Sequence, residues 1–177
     1  MAVLIVAVVL VGVLCLLNLF LSLGVIRRLR EHTAALEELS AGGRRPGIIM
    51  DAGGTVGPFS AVATSGATVS GDLLGGRALV GFFSPSCEPC KEQVPLFVAY
   101  AREFDGTVLA VAAGAATEVG DLVATLDGVG HVVVEADNGP VQRAFGTRGF
   151  PAMCVVDAGR VTAGGYQLDA LVAPTAA

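Results

Sequence analysis

From Ala2 to Ile26 the chain has no charged side chain, and only Asn18 and Ser22 interrupt a run of Leu, Val, Ile, Phe and small residues. As a helix this stretch reaches about 37 Å, enough to cross a hydrocarbon core of about 30 Å with some tilt. The pattern predicts one transmembrane anchor over residues 1–26. No Lys or Arg precedes the run, and Arg27, Arg28 and Arg30 follow it. A removable signal would instead show a basic start, a shorter apolar core and a small-residue cleavage site. Cys15 lies in mid-span without the small residues that lipid processing needs, and reads as a packing residue.

Beyond the span, Leu29, Leu36 and Leu39 recur at helical spacing among Arg, Glu and His32, which predicts a short amphipathic stalk with His32 in solvent. The run from Ser40 to Gly47 gathers Gly, Arg and Pro46 and breaks the helix. Residues 27–47 are thus stalk and linker, and residues 48–177 the folded domain. There, short apolar runs alternate with helical patterns, the sign of an α/β sheet with helices on its faces. Strands are expected near Phe59–Ala63, Ala67–Ser70, Ala78–Phe83, Thr107–Ala112, His131–Glu135, Ala152–Val156 and Arg160–Ala163. Helices are expected at Glu88–Phe104, Thr117–Leu126, Gly139–Phe145 and Leu168–Val172. The terminal Ala173–Ala177 has no apolar period and reads as a frayed tail.

Composition sharpens this picture in two ways. Of the 177 residues 53% are hydrophobic, above the usual soluble range, and the excess sits in the first segment. Three Arg and three Glu cancel over residues 27–39, so the whole net charge of −5 belongs to the chain after Ser40. With no basic cluster beyond Arg44 and Arg45, a nucleic-acid partner has no electrostatic footing.

The candidate chemistry lies in a run from Phe82 to Lys91 that places Cys87 and Cys90 after an apolar strand and at the opening of a helix. Two intervening residues, Glu88 and Pro89, let both thiols sit on the first helical turn, close enough to form a small disulfide ring. Free N–H groups at a helix start favour thiolate at Cys87, the form that attacks a disulfide, and Cys90 would resolve the product. A zinc site needs two more Cys or His ligands. Cys15 is assigned to the membrane and His32 to the stalk, while Cys154 and His131 sit singly in strand patterns, where they and Met153 read as core. A purely structural disulfide remains open, although so short a loop removes little chain entropy.

The run from Phe82 to Cys90 resembles the thioredoxin superfamily, and within it the membrane-anchored TlpA/ResA-like reductases, nearest to MauD-like members. The resemblance covers most of residues 57–172. Pro58 to Val80 looks like that group's N-terminal extension and first core strand. Pro95, five residues after Cys90, stands where the group kinks its active-site helix. Gly146 to Val161 resembles its cis-proline segment, with Pro151 in the proline position and a turn at Asp157–Gly159. The resemblance implies a thioredoxin-like fold: a central mixed sheet flanked by helices, with an N-terminal β-hairpin extension, preceded by one transmembrane helix. It implies catalysis by Cys87 and Cys90, substrate binding at Phe150 and Pro151, and supporting roles for Glu88, Pro89 and Pro95. No cofactor and no metal are called for; the partners are protein disulfides or dithiols and a membrane or soluble electron donor.

Three departures stand out. Ser86 occupies a position where most of the group has Trp. Gly81 replaces the buried acidic or amide side chain often found six residues before the first cysteine, which removes a proton acceptor for Cys90. Phe150 is bulky for a residue flanking the substrate. Two other functions compete with disulfide exchange. A copper(I) chaperone would use the same soft thiolates, but no Met or His lies near Cys87 in sequence. A peroxiredoxin-like peroxide reductase needs Thr or Ser, Pro and Arg round one cysteine, and only Ser84 offers a match. For orientation, Arg27, Arg28 and Arg30 point to a cytoplasmic domain, whereas the resemblance implies the oxidising, extracytoplasmic side. Glu31, Glu37 and Glu38 make the stalk mixed in charge, which favours the extracytoplasmic expectation.

Overall fold

The computed structural model describes Met1, Leu10, Gly12, Leu14 and residues 47–172. The expected anchor, stalk and linker fall outside the described residues except at those isolated positions and Gly47, as does the tail from Ala173. Among the described residues no helix is long and apolar enough to cross a membrane. The chain divides into two units, Met1–Arg45 and Pro46–Ala177, and the second carries the sheet and its helices.

A two-stranded antiparallel hairpin comes first, β1 (Ser60–Val62) and β2 (Thr68–Ser70), with Ala61 opposite Val69. The main sheet has five strands: β3 (Ala78–Phe83), β4 (Thr107–Ala113), β5 (His131–Glu135), β6 (Ala152–Asp157) and β7 (Arg160–Gly165). Their order is β5-β4-β3-β6-β7. β3 pairs with β4 and β4 with β5 in parallel, whereas β6 runs antiparallel to both β3 and β7. The parallel pairs need crossovers, which α1 (Glu88–Glu103) and α2 (Gly120–Leu126) supply. Two further short helices are α3 (Pro140–Ala144) and α4 (Asp169–Val172). This is the expected mixed sheet flanked by helices, preceded by the expected hairpin.

All six residues of β3 are buried, so this central strand reads as a continuous apolar run, because both of its faces are covered. Its side chains divide by the two-residue period. Val80 and Phe82 join Leu109, Val111 and Cys154 under the hairpin side, where the Phe145 ring lies 5.3 Å from that of Phe82 and 5.9 Å from that of Phe59. Leu79 and Phe83 join Ala110, Met153 and Val155 under α1, which contributes Cys90, Val94 and Phe97.

The structure departs from the sequence expectations mainly at element ends. Gly71–Leu74 forms an unexpected 3-10 turn that buries Leu74. α2 begins at Gly120, not Thr117, because the Glu118 and Val119 N–H groups both donate to the Ala115 carbonyl and close a tight turn first. Phe59 and Ala63 flank β1, and Ala63 forms an isolated bridge with Val133. His131, expected in the core, opens β5 and is only half-buried.

Candidate active site

β3 ends at Phe83, and Ser84, Pro85 and Ser86 turn the chain into α1. The Cys87 N–H donates to the Ser84 carbonyl at 3.2 Å, so the turn is closed before the helix starts. Cys87 is the N-cap, and its Sγ accepts the Cys90 N–H at 3.2 Å. Pro89 falls in the first turn, where a missing N–H costs the helix nothing. Cys87 and Cys90 are joined as a disulfide with their Cα atoms 5.3 Å apart. The two sulfurs are not equivalent: Cys87 is half-buried, whereas Cys90 is 2% exposed. Cys87 is thus the more open of the two sulfurs, and it sits at the positive end of a helix, which favours negative charge nearby.

The supporting residues divide into those the structure brings to the pair and those it turns away. Glu88 points outward and pairs with Lys91 at 2.6 Å, with side-chain exposures of 83% and 65%, so its carboxylate is committed to a solvated ion pair. Pro95 lies inside α1, where its missing N–H leaves the Lys91 carbonyl without a helical donor. Across the sheet, the Phe150–Pro151 peptide bond is cis. The pairing of Phe82 with Ala152 sets that bond beside the end of β3, the edge from which the cysteine loop departs. Phe150 and Cys87 both pack, half-buried, against the cluster that contains Cys90 and Met153. Cysteine pair and proline loop, some 60 residues apart in the chain, thus lie at one end of the sheet.

Gly81 has a steric reason. A Cβ there would lie 2.7 Å from both the Phe83 and the Phe97 ring, which meet edge-on with centroids 5.1 Å apart. Phenylalanine fills the space that a buried acid would need. Ser86 is exposed, with its Oγ 3.1 Å from that of Ser84.

Met153 and Cys154 are fully buried in β6, and burial pushes the Cys154 thiol far above its ordinary range. Among the described residues no group of three or more His, Cys, Asp or Glu could hold a metal ion.

Sequence reasoning missed a groove of ≈ 390 Å³ between α1 and α2, lined by Ser84, Cys90 and Lys91, by Glu118 in the turn before α2, and by Asp121 and Thr125 of α2. Its only sequence signal was a pair of acids three residues apart at the start of a helix. It also missed Glu135, 8% exposed, whose carboxylate accepts the Val141 N–H at 3.0 Å and the Gln142 N–H at 2.9 Å. An acid ending an apolar strand just before a Pro-initiated helix was the available clue. A second cavity of ≈ 280 Å³ adjoins Phe150 and includes Gln142, Thr147 and Arg148.

No family model matches the sequence, and no curated protein matches it. Solved structures do. The thioredoxin domain of a thiol-disulfide oxidoreductase from Bacteroides vulgatus superposes with a TM-score of 0.57 at 22% identity, covering 69% of this chain and 93% of that one. A candidate thioredoxin from Neisseria meningitidis gives 0.55 at 28% identity, covering 67% and 83%. A secreted disulfide oxidoreductase from Mycobacterium tuberculosis, described as homologous to E. coli DsbE, gives 0.52 at 25% identity, covering 67% and 86%. The fold is therefore thioredoxin-like, with the Cys87–Cys90 disulfide at the start of α1. Fold, cysteine pair and similarity together mark the chain as a thiol-disulfide oxidoreductase with a thioredoxin-like fold.

Proposed function

We propose that this oxidoreductase is tethered to a membrane by its first 26 residues and reduces protein disulfides on the extracytoplasmic side. The Cys87 thiolate attacks a substrate disulfide and forms a mixed disulfide; Cys90 then attacks Cys87, closes the internal disulfide and releases the reduced substrate. The observation that carries the order of events is the difference in exposure, a half-buried Cys87 at the helix cap against a Cys90 that is 2% exposed. Phe150 and Pro151, at the same edge of the sheet, would align an extended substrate segment beside Cys87. The uncharged run from Ala2 to Ile26 supports the tether, and an electron donor in the membrane or in solution would regenerate the dithiol.

Turnover of a disulfide-bonded peptide by the reduced full-length chain tests the reading, with Cys87→Ser expected to abolish it. Activity that survives this change would contradict the reading. Reporter fusions after Gly43 decide the side: activity of a reporter that works only outside the cytoplasm is the expected result.

A further inference from the structure

The two sulfurs also differ in their electrostatic surroundings. Cys87 caps α1 and faces the positive helix end. Cys90 lines the groove between α1 and α2, whose opposite wall carries Glu118, in the turn before α2, and Asp121, in α2. Lys91, the one cation lining it among the described residues, is held by Glu88 at 2.6 Å, so its charge is largely offset. The apolar side chains clustered with Cys90 from the strands, from α1 (Tyr100 among them) and from α4 (Leu171) bring no charge. Position 81 brings no charge either, since the Phe83 and Phe97 rings fill its space.

We propose that Glu118 and Asp121 are positioning residues that keep the Cys90 thiol protonated in the reduced enzyme, so that Cys87 alone meets the substrate as thiolate. Two carboxylates lining the same groove as a buried sulfur disfavour a third negative charge there, while the helix end favours charge at Cys87. The exchange then balances. The Cys87 thiolate attacks the substrate disulfide, and the displaced substrate thiolate takes up a proton. Cys90 next gives its proton to the solvent of the groove and attacks the Cys87 sulfur, which forms the internal disulfide and expels the second substrate sulfur as a thiolate that takes up a proton from solvent. Two electrons pass from the enzyme dithiol to the substrate disulfide.

The test follows the 13Cβ shift of Cys90 against pH in the reduced full-length chain in detergent, and in the Cys87→Ser chain to remove coupling between the two thiols. Relative to the unaltered chain, Glu118→Gln with Asp121→Asn should lower the Cys90 midpoint by about half a pH unit, the size expected of exposed charges. Glu118→Lys should lower it further. Both shifts should shrink in about 1 M salt, where the screening length is about 3 Å. Both side chains are exposed, so the fold should tolerate these changes. A midpoint that stays put, rises, or shifts without regard to salt would overturn the proposal. The inference rests on the proposed dithiol chemistry, but the two fail separately. An unaltered chain that turns over no disulfide sinks that chemistry, whereas an unmoved Cys90 midpoint in an active variant sinks this inference.

Discussion

Gly81→Ala sets two opposing effects against each other, and the structure decides which wins. Elsewhere in a strand, alanine for glycine stabilises by about 0.4–1 kcal/mol, because the unfolded chain loses freedom. At position 81 the added methyl carbon would lie 2.7 Å from ring carbons of both Phe83 and Phe97. Both rings are fully buried and meet each other at 5.1 Å, so neither can swing into open space. Overpacking of a filled core costs about 1–3 kcal/mol. The net expectation is a loss of about 1–2 kcal/mol, or a Tm lower by about 3–10 °C for a domain of this size. Thermal unfolding of the oxidised segment 46–177, followed by circular dichroism, measures it. Phe97→Leu in the same background should recover part of the loss, since it removes ring atoms from the contested space, and the coupling should appear in a double-mutant cycle. A Gly81→Ala domain as stable as the parent, or more so, would refute the packing argument and reopen position 81 to a larger side chain.

Two further outcomes concern buried groups away from the cysteine pair. Glu135→Gln should cost about 1–3 kcal/mol in urea unfolding, because one carboxylate oxygen that accepts the Val141 or Gln142 N–H becomes an NH₂ group facing a donor. Cys154 should resist alkylation in the native domain at neutral pH and react only after unfolding, since burial pushes its thiol well above the ordinary range. The linked stability is fully present below about pH 8.5, where the unfolded thiol keeps its proton, and declines as pH rises above that value. A Cys154→Ala domain should show a weaker decline in the same alkaline window.

Much of this fold was legible because its signals are local. β3 was recognisable from an uninterrupted apolar run, α1 from a Cys-Glu-Pro-Cys start, and the last hairpin from Asp157-Ala158-Gly159, where Ala158 and Gly159 take φ of 46° and 74°. Sequence period also separated strand from helix at β4, β5 and β6. What it could not supply was contact between distant segments. The reason for Gly81 lies in Phe97, sixteen positions further on and on another element. The groove at Cys90 is lined across from α1 by Glu118, in the turn closed on Ala115, and by Asp121 of α2, a meeting of distant segments. Glu135 looked like an ordinary strand end, since its role depends on where α3 starts. At the site itself the residue types and the expected order of the two sulfurs were readable, whereas the difference in their burial was not.

Trapping the mixed disulfide tests most directly the order in which those sulfurs act. Full-length Cys90→Ser and Cys87→Ser chains, each reduced and mixed with a disulfide-bonded peptide, should behave differently on a non-reducing gel. Cys90→Ser should accumulate a covalent adduct that reductant releases, with the peptide mapped to Cys87, because attack proceeds and resolution cannot. Cys87→Ser should give little adduct, because the remaining sulfur is 2% exposed. Equal adduct in both variants, or adduct only in Cys87→Ser, would contradict the assignment of Cys87 as the attacking thiolate.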